Sequence, residues 1–262
     1  MDHASAAHRP RIHETMPGGR AAATRARMMR MKRRRVPERM DDPALPASEH
    51  RHALAGLARL NRAARAERLT WPAVRWAAER AARDGRGARV LDVACGAGDA
   101  IARLAVRARQ TGARVEWTAC DMSRVALDEA GRAARTAGAS VTTAQADAVH
   151  GPLPAGHDLV TCSLFLHHLD RNDAVRALRC MASAAPAGTI VDLDRTLLGM
   201  GLAWTASRTL SRSSVVHFDA TASVRAAWTA DEAQSMAREA GLREARVVRA
   251  WPERWVLTWG IA

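Results

Sequence analysis

Val90-Leu-Asp-Val-Ala-Cys-Gly-Ala-Gly-Asp-Ala100 is the stretch that decides the fold. Its first half, taken from Arg89 to Ala94, is an apolar run rich in β-branched residues and reads as a buried strand. The chain then breaks at Gly96 and Gly98 and resumes with Ile101, Leu104, Ala105 and Ala108 at helical spacing. A strand, a glycine turn and a helix in that order bring backbone N–H groups and a positive helix end to the carboxyl edge of a sheet. Open α/β folds bind small ligands there. A dinucleotide turn would read G-x-G-x-x-G, and Ile101 occupies its third glycine position. Asp92 adds an acid inside the strand, which a pyrophosphate has no use for and a bound cation does.

The pattern D-x-x-C-G-x-G, Asp92 to Gly98, closely resembles motif I of the class I S-adenosylmethionine (SAM)-dependent methyltransferases, whose cofactor carries an ammonium and a sulfonium. The other reading is a tight strand–helix turn in some other α/β protein. The resemblance covers about residues 48 to 262 and implies a Rossmann-like α/β fold. Its seven-stranded sheet would run in the order 3-2-1-4-5-7-6, with helices on both faces and an N-terminal helical cap. It also implies that Asp92, Ala94, Cys95, Gly96 and Gly98 bind SAM.

Downstream residues extend that site. Arg114 to Cys120 reads as the second strand and ends at Asp121, 23 residues past Gly98. That is close to the ~20-residue offset at which an acid reaches ribose hydroxyls in dinucleotide folds. A carboxylate accepts two hydroxyl hydrogen bonds at once. Asp121 with Met122 is therefore a cofactor-binding candidate, or Asp121 caps the helix that starts near Ser123. The third strand, Ser140 to Gln145, ends at Ala146-Asp147-Ala148. In the resembled family an Asp in this place binds the adenine amino group; the plainer reading is a turn residue. His157 to Phe165 reads as a central strand resembling motif IV, so Ser163, Leu164 and Phe165 are expected to line the site.

His167 and His168 follow at once. Imidazole titrates near neutrality and can take a proton from a phenol or enol, or one of the two fixes its loop. Asp173 to Ala185 reads as a helix and Thr189 to Asp194 as the fifth strand. Residues 195–228 form a long apolar insertion containing Leu197, Leu198, Met200, Leu202, Trp204 and Leu210. It suggests a lid over a hydrophobic substrate, a dimer contact or a satellite core. His217 and Asp219 lie two apart and would share a side if extended, which makes His217 a third base candidate. Thr229-Ala-Asp-Glu232 opens a further helix as a capping box. Two closing strands, Arg243 to Ala250 and Arg254 to Trp259, form the terminal antiparallel hairpin that the family adds.

Ahead of the domain, residues 1–44 are Pro- and Arg-rich and read as a disordered tail. Residues 45–87 read as two cap helices, with Ser48 as an N-cap and Pro72 in the first turn of the second, and residues 88–262 as the methyltransferase domain. Lys+Arg 40 against Asp+Glu 27 leaves a formal net charge of +13, which invites a nucleic-acid reading. Arg and Ala richness of the kind a GC-rich genome produces weakens it, as does the absence of Tyr. The four cysteines have no metal-ligand spacing, and no metal site is expected. With no signal segment and no spanning run, the expectation is a reduced cytoplasmic protein.

The resulting expectation is a SAM-dependent methyltransferase acting on oxygen or carbon of a small apolar acceptor. A phenol, a quinone or a polyketide-derived ring would serve, and a homodimer is possible. The alternatives are an RNA or protein methyltransferase using the basic tail, and a SAM-binding protein without catalysis.

Overall fold

The computed structural model describes residues 31–42 and 44–261. Seven strands make one sheet: β1 (Ala88–Val93), β2 (Val115–Asp121), β3 (Val141–Gln145), β4 (Leu159–Ser163), β5 (Gly188–Leu193), β6 (Arg246–Ala250) and β7 (Arg254–Trp259). Their order is β3-β2-β1-β4-β5-β7-β6, the expected one. The first five strands are parallel, and β7 runs antiparallel to both neighbours. Strands β1, β4 and β5 are buried along nearly their whole length, as continuous apolar runs require between two helical layers. Strand order reverses between β1 and β4, so their carboxyl ends flank a crevice.

The helices are α1 (Ala47–Ala64), α2 (Glu67–Arg83), α3 (Asp99–Gln110), α4 (Arg124–Thr136), α5 (Arg171–Ala184), α6 (Leu197–Leu210), α7 (Ser214–Ala226) and α8 (Ala230–Glu239). One core gathers Leu178 and Met181 of α5, Met236 of α8 and Trp255 of β7. The other gathers Val74 and Ala77 of α2, Ile101 and Leu104 of α3 and Leu127 of α4. Five of the helices are capped by the side chain before them: Ser123, Asp170, Thr196, Ser213 and Thr229 each accept a first-turn N–H. Thr229 and Glu232 form the expected capping box on α8.

The two N-terminal helices part company. Helix α2 is a layer of the sheet itself, whereas Ala53 of α1 packs against Val215 and Val216 of α7. Helix α1 begins at Ala47 behind Pro46 with no side-chain cap, so Ser48 lies inside it. Helix α2 begins at Glu67, and Pro72 sits within it rather than opening it. Proline marks a helix start only when its missing N–H falls among the unpaired first-turn donors; here the helix has already turned once.

The 195–228 insertion is helical, as α6 and α7. Residues 31–42, expected to be part of a disordered tail, instead run as a strap along α7. Arg34 N donates to Arg225 O at 3.0 Å, and Arg39 N and Met40 N donate to the Asp219 carboxylate at 2.7 and 3.0 Å. The composition pointed to disorder, but here three backbone N–H groups of the strap are taken by α7. The remainder of the expected tail, residues 1–30, lies outside the described residues. No helix among the described residues is long and apolar enough to cross a membrane. All four cysteines are free.

Candidate active site

The carboxyl ends of β1, β2, β4 and β5 carry the candidate site. After β1 the chain enters the left-handed region at Ala94 (φ 54°), Gly96 (φ 52°) and Gly98 (φ 78°), and after β4 it does so again at Leu164 (φ 56°). For the non-glycine residues Ala94 and Leu164 each such conformation costs about 1–3 kcal/mol, and strain of this kind clusters at ligand sites. The turn is closed by Gly98 N donating to Cys95 O at 3.0 Å and tied to β2 by Cys95 N donating to Cys120 O at 3.1 Å. A Cβ built on Gly96 would meet no heavy atom within 4 Å, so the turn faces open space there. A Cβ on Gly98 would lie 2.7 Å from Ala130 Cα, so this glycine lets α4 approach.

Asp121 bridges the two strand ends. Its Oδ2 accepts from Gly96 N at 3.0 Å and its Oδ1 from Ser123 N at 2.9 Å. Asp121 thus ties the glycine turn to the approach to α4, whose cap is Ser123, with lone pairs remaining for hydroxyls. Met122 stands 69% exposed beyond it, its carbonyl held by Gln145 Nε2 at 3.0 Å. Asp92 is buried between neighbouring strands and accepts from Thr161 Oγ1 at 2.7 Å. Burial pushes its carboxyl up to about 7; the Thr161 bond opposes this and the nearby Asp121 charge adds to it. Burial likewise pushes the Cys95 thiol up, and the side chain packs against the core of α2, α3 and α4.

Asp147 is engaged within its own loop. Its Oδ1 accepts from Val149 N at 2.7 Å and His150 N at 3.3 Å, and its Oδ2 lies 3.1 Å from His150 Nδ1. The carboxylate thus closes its own loop, and it keeps lone pairs for a further donor. Ala148 beside it is buried in the core. Ser163 ends β4 half-buried, and Leu164 N continues the ladder to Val191 O at 2.9 Å.

The three histidines separate clearly. His167 is 3% exposed, and its Nδ1 lies 2.7 Å from Oδ1 of Asp192, which is fully buried on β5. An ionised carboxylate only accepts, so Nδ1 carries the proton and Nε2 is the basic atom. Burial would lower the imidazole, but the Asp192 charge and hydrogen bond, with Glu38 behind them, raise it above its ordinary value. Asp192 is held low: burial opposes this, and the His167 charge and bond outweigh it. The His168 ring lies 4.1 Å from the His167 ring. It is pushed down, by desolvation first and then by the charge on His167. His217 is corrected: it lies on a helix, where two residues apart means nearly opposite sides. Its Nε2 binds Ser211 O at 2.8 Å, while Asp219 serves the strap.

Glu38, His167 and His168 each place one ligand-capable atom within 4.8 Å of the others. Arg33 and Arg35 hydrogen-bond the carbonyls of that same turn, and their charge opposes a dication there.

The strand order, the glycine turn on β1 and the acid ending β2 agree with the Rossmann-like methyltransferase fold expected from the sequence. Residues 90–188 match the family model described as a methyltransferase domain. Among solved structures, the plantazolicin methyltransferase BpumL in complex with SAH is similar at a TM-score of 0.58 and 12% identity, covering 84% of this chain and 90% of that one. The SAM-dependent methyltransferase SibL is similar at 0.51 and 24%, covering 67% and 50%. A putative O-methyltransferase from Nostoc punctiforme PCC 73102 gives 0.49 and 20%, covering 66% and 51%. The chain therefore spans about half the length of the last two. At these identities the likeness is one of fold.

The residues present fit the cofactor. The open space at Gly96 takes a ligand against the backbone. The buried Asp92, which forms no ion pair with a basic side chain among the described residues, suits a cationic group. Asp192, Glu38 and Arg33 were not singled out from sequence. Asp192 carried a usable signal, an acid inside an apolar strand; Arg33 was hidden in a run of arginines.

Proposed function

We propose that this chain transfers a methyl group from SAM to an oxygen or carbon of a small apolar acceptor, a phenol, quinone or polyketide-derived ring. The observation that carries the reading is the buried His167–Asp192 pair at the same sheet edge as the glycine turn. When bound, SAM supplies an electrophilic methyl on a sulfonium, which an acceptor displaces in line. The chain's own task is then to align the acceptor, exclude water and take one proton. His167 is suited to the last. Asp192 fixes the tautomer through Nδ1 and favours the imidazolium that forms, leaving Nε2 to receive the proton from an acidic hydroxyl or enol. The half-buried Phe165 and the helices of the apolar insertion, which begin four residues past β5, favour an apolar acceptor.

The test is a panel of phenols, hydroxyquinones and naphthols incubated with protein and SAM, read as SAH formed and product mass increased by one methyl. Turnover on a member of the panel that His167→Gln abolishes supports the reading. Tight SAM binding with no turnover on any member would favour a SAM-binding protein without catalysis.

A further inference from the structure

The turn that carries His167 is held by four consecutive carbonyls, and each accepts a side-chain donor from elsewhere in the chain. Trp228 Nε1 donates to Leu166 O at 2.9 Å. Arg33 NH2 donates to His167 O at 3.1 Å and to Leu169 O at 2.7 Å. Arg35 NH1 donates to His168 O at 2.6 Å. Three of these four bonds come from the strap, which is more than 130 residues away in sequence. Arg33 also closes onto the insertion: its Nε donates to Ala226 O at 2.6 Å, and its guanidinium lies 3.5 Å from the centroid of the Trp228 ring. One planar fork thus spans the end of α7, the Trp228 ring and the His167 turn, a geometry that an ammonium cannot copy.

The strap is itself pinned. Asp219 takes the N–H groups of Arg39 and Met40, Met31 O accepts from Arg195 Nε at 2.8 Å, and the Arg39 guanidinium lies 4.4 Å from the Phe218 ring centroid. Glu38, bonded by Ser223 Oγ, places its Oε1 4.0 Å from His167 Nε2. The imidazole is therefore bracketed by Asp192 on β5 and Glu38 on the strap, with the His168 ring tilted against it and Arg33 over its carbonyl.

We propose that Arg33 is a positioning residue for methyl transfer, holding the His167–Leu169 turn so that the imidazole stays seated on Asp192. The proposal rests on His167 being the base, and its test is independent of any acceptor. Binding of carbonyls, ring and α7 by one guanidinium fixes the turn from its backbone side. The energetic weight falls on charge-assisted bonds in a sheltered place, where each counts more than at the open surface.

The experiment is imidazole NMR on full-length protein with labelled histidine, following the His167 Nδ1–H proton, together with calorimetric SAM binding. Arg33→Ala is expected to speed exchange of that proton about tenfold or more and to leave SAM affinity within about twofold of wild type. Arg33→Lys, which keeps the charge and loses the fork, should behave as Arg33→Ala. Arg35→Ala, which removes one carbonyl bond from the same turn, should move the signal in the same direction by less, and it reads the strap even if Arg33→Ala fails to fold. On an acceptor found by the panel, Arg33→Ala should lower kcat and leave KM for SAM unchanged. An unchanged Nδ1–H signal in the Arg33 variants would overturn the proposal. So would parallel loss of SAM affinity, since Arg33 would then act on the whole fold. Failure of the panel in wild type, with the NMR result intact, would fault the acceptor assignment and leave the fork standing.

Discussion

His167 and Asp192 show how two neighbouring charges decide what burial alone would not. Taken singly, each group would be driven neutral by desolvation; taken together, the imidazole is raised above its ordinary value and the carboxyl is held below its own. A base whose proton affinity is raised must first lose its proton, so the turnover proposed above should fall with pH below that raised value, about tenfold per unit. Asp192→Asn removes the charge that raises the imidazole and leaves the burial that lowers it. The acid limb should therefore move to lower pH. The plateau should drop about a hundredfold, because the tautomer is no longer fixed. Initial rates of SAH formation from about pH 5.5 to 9 decide this, and an acid limb that stays put in Asp192→Asn would remove His167 from the proton step. The same pair shows the limit of reading residues from sequence. His167 stood out by chemistry and position, but its partner lies on β5, 25 residues later.

At the scale of elements, the strands were legible because the signals are local (apolar β-branched runs, glycine breaks and a capping box), whereas their order was implied by the resemblance that the glycine turn carries. The edges shifted by a residue or two, which periodicity does not resolve. What was not legible depended on contacts made at long range. Residues 31–42 look solvated by composition and are ordered by α7; His217 and Asp219 share a side only if the segment is extended, and α7 separates them. The two glycines after β1 are alike in sequence and differ in what they permit. Gly98 lies against Ala130 of α4, so Gly98→Ala combines left-handed strain with a collision between α3 and α4. It should cost about 2–4 kcal/mol, seen as a fall in the denaturation midpoint. Gly96→Ala meets open space and should cost only about 1–2 kcal/mol, yet its methyl occupies the volume proposed for the cofactor and should abolish measurable SAM binding. Calorimetry beside thermal unfolding separates the two. A Gly96→Ala protein that binds SAM as wild type does would move the cofactor away from this turn.

For the whole molecule the question is whether the charge of +13 recruits a macromolecular substrate. Residues 1–30 hold six Arg against Asp2 and Glu14, a net +4, so +9 belongs to the rest of the chain. Within the strap, Arg33 and Arg35 are committed to the protein's own carbonyls. Basic residues used in this way are not available to phosphates, and the nucleic-acid reading loses the part of its footprint nearest the candidate site. Two truncations then test what the N-terminal segment does. Removing residues 1–30 should leave both SAM affinity and turnover on the apolar acceptor within about twofold of the full chain, because none of the bonds clasping the His167 turn is lost. Removing residues 1–42 takes Arg33, Arg35 and Glu38 with it. Turnover should fall tenfold or more, by about as much as in Arg33→Ala, while SAM affinity, which the cofactor site proposed at the turn after β1 would set, is retained. If activity is lost on removing residues 1–30 and returns on a larger substrate only when they are present, the basic segment is a substrate-binding arm and the acceptor is a macromolecule.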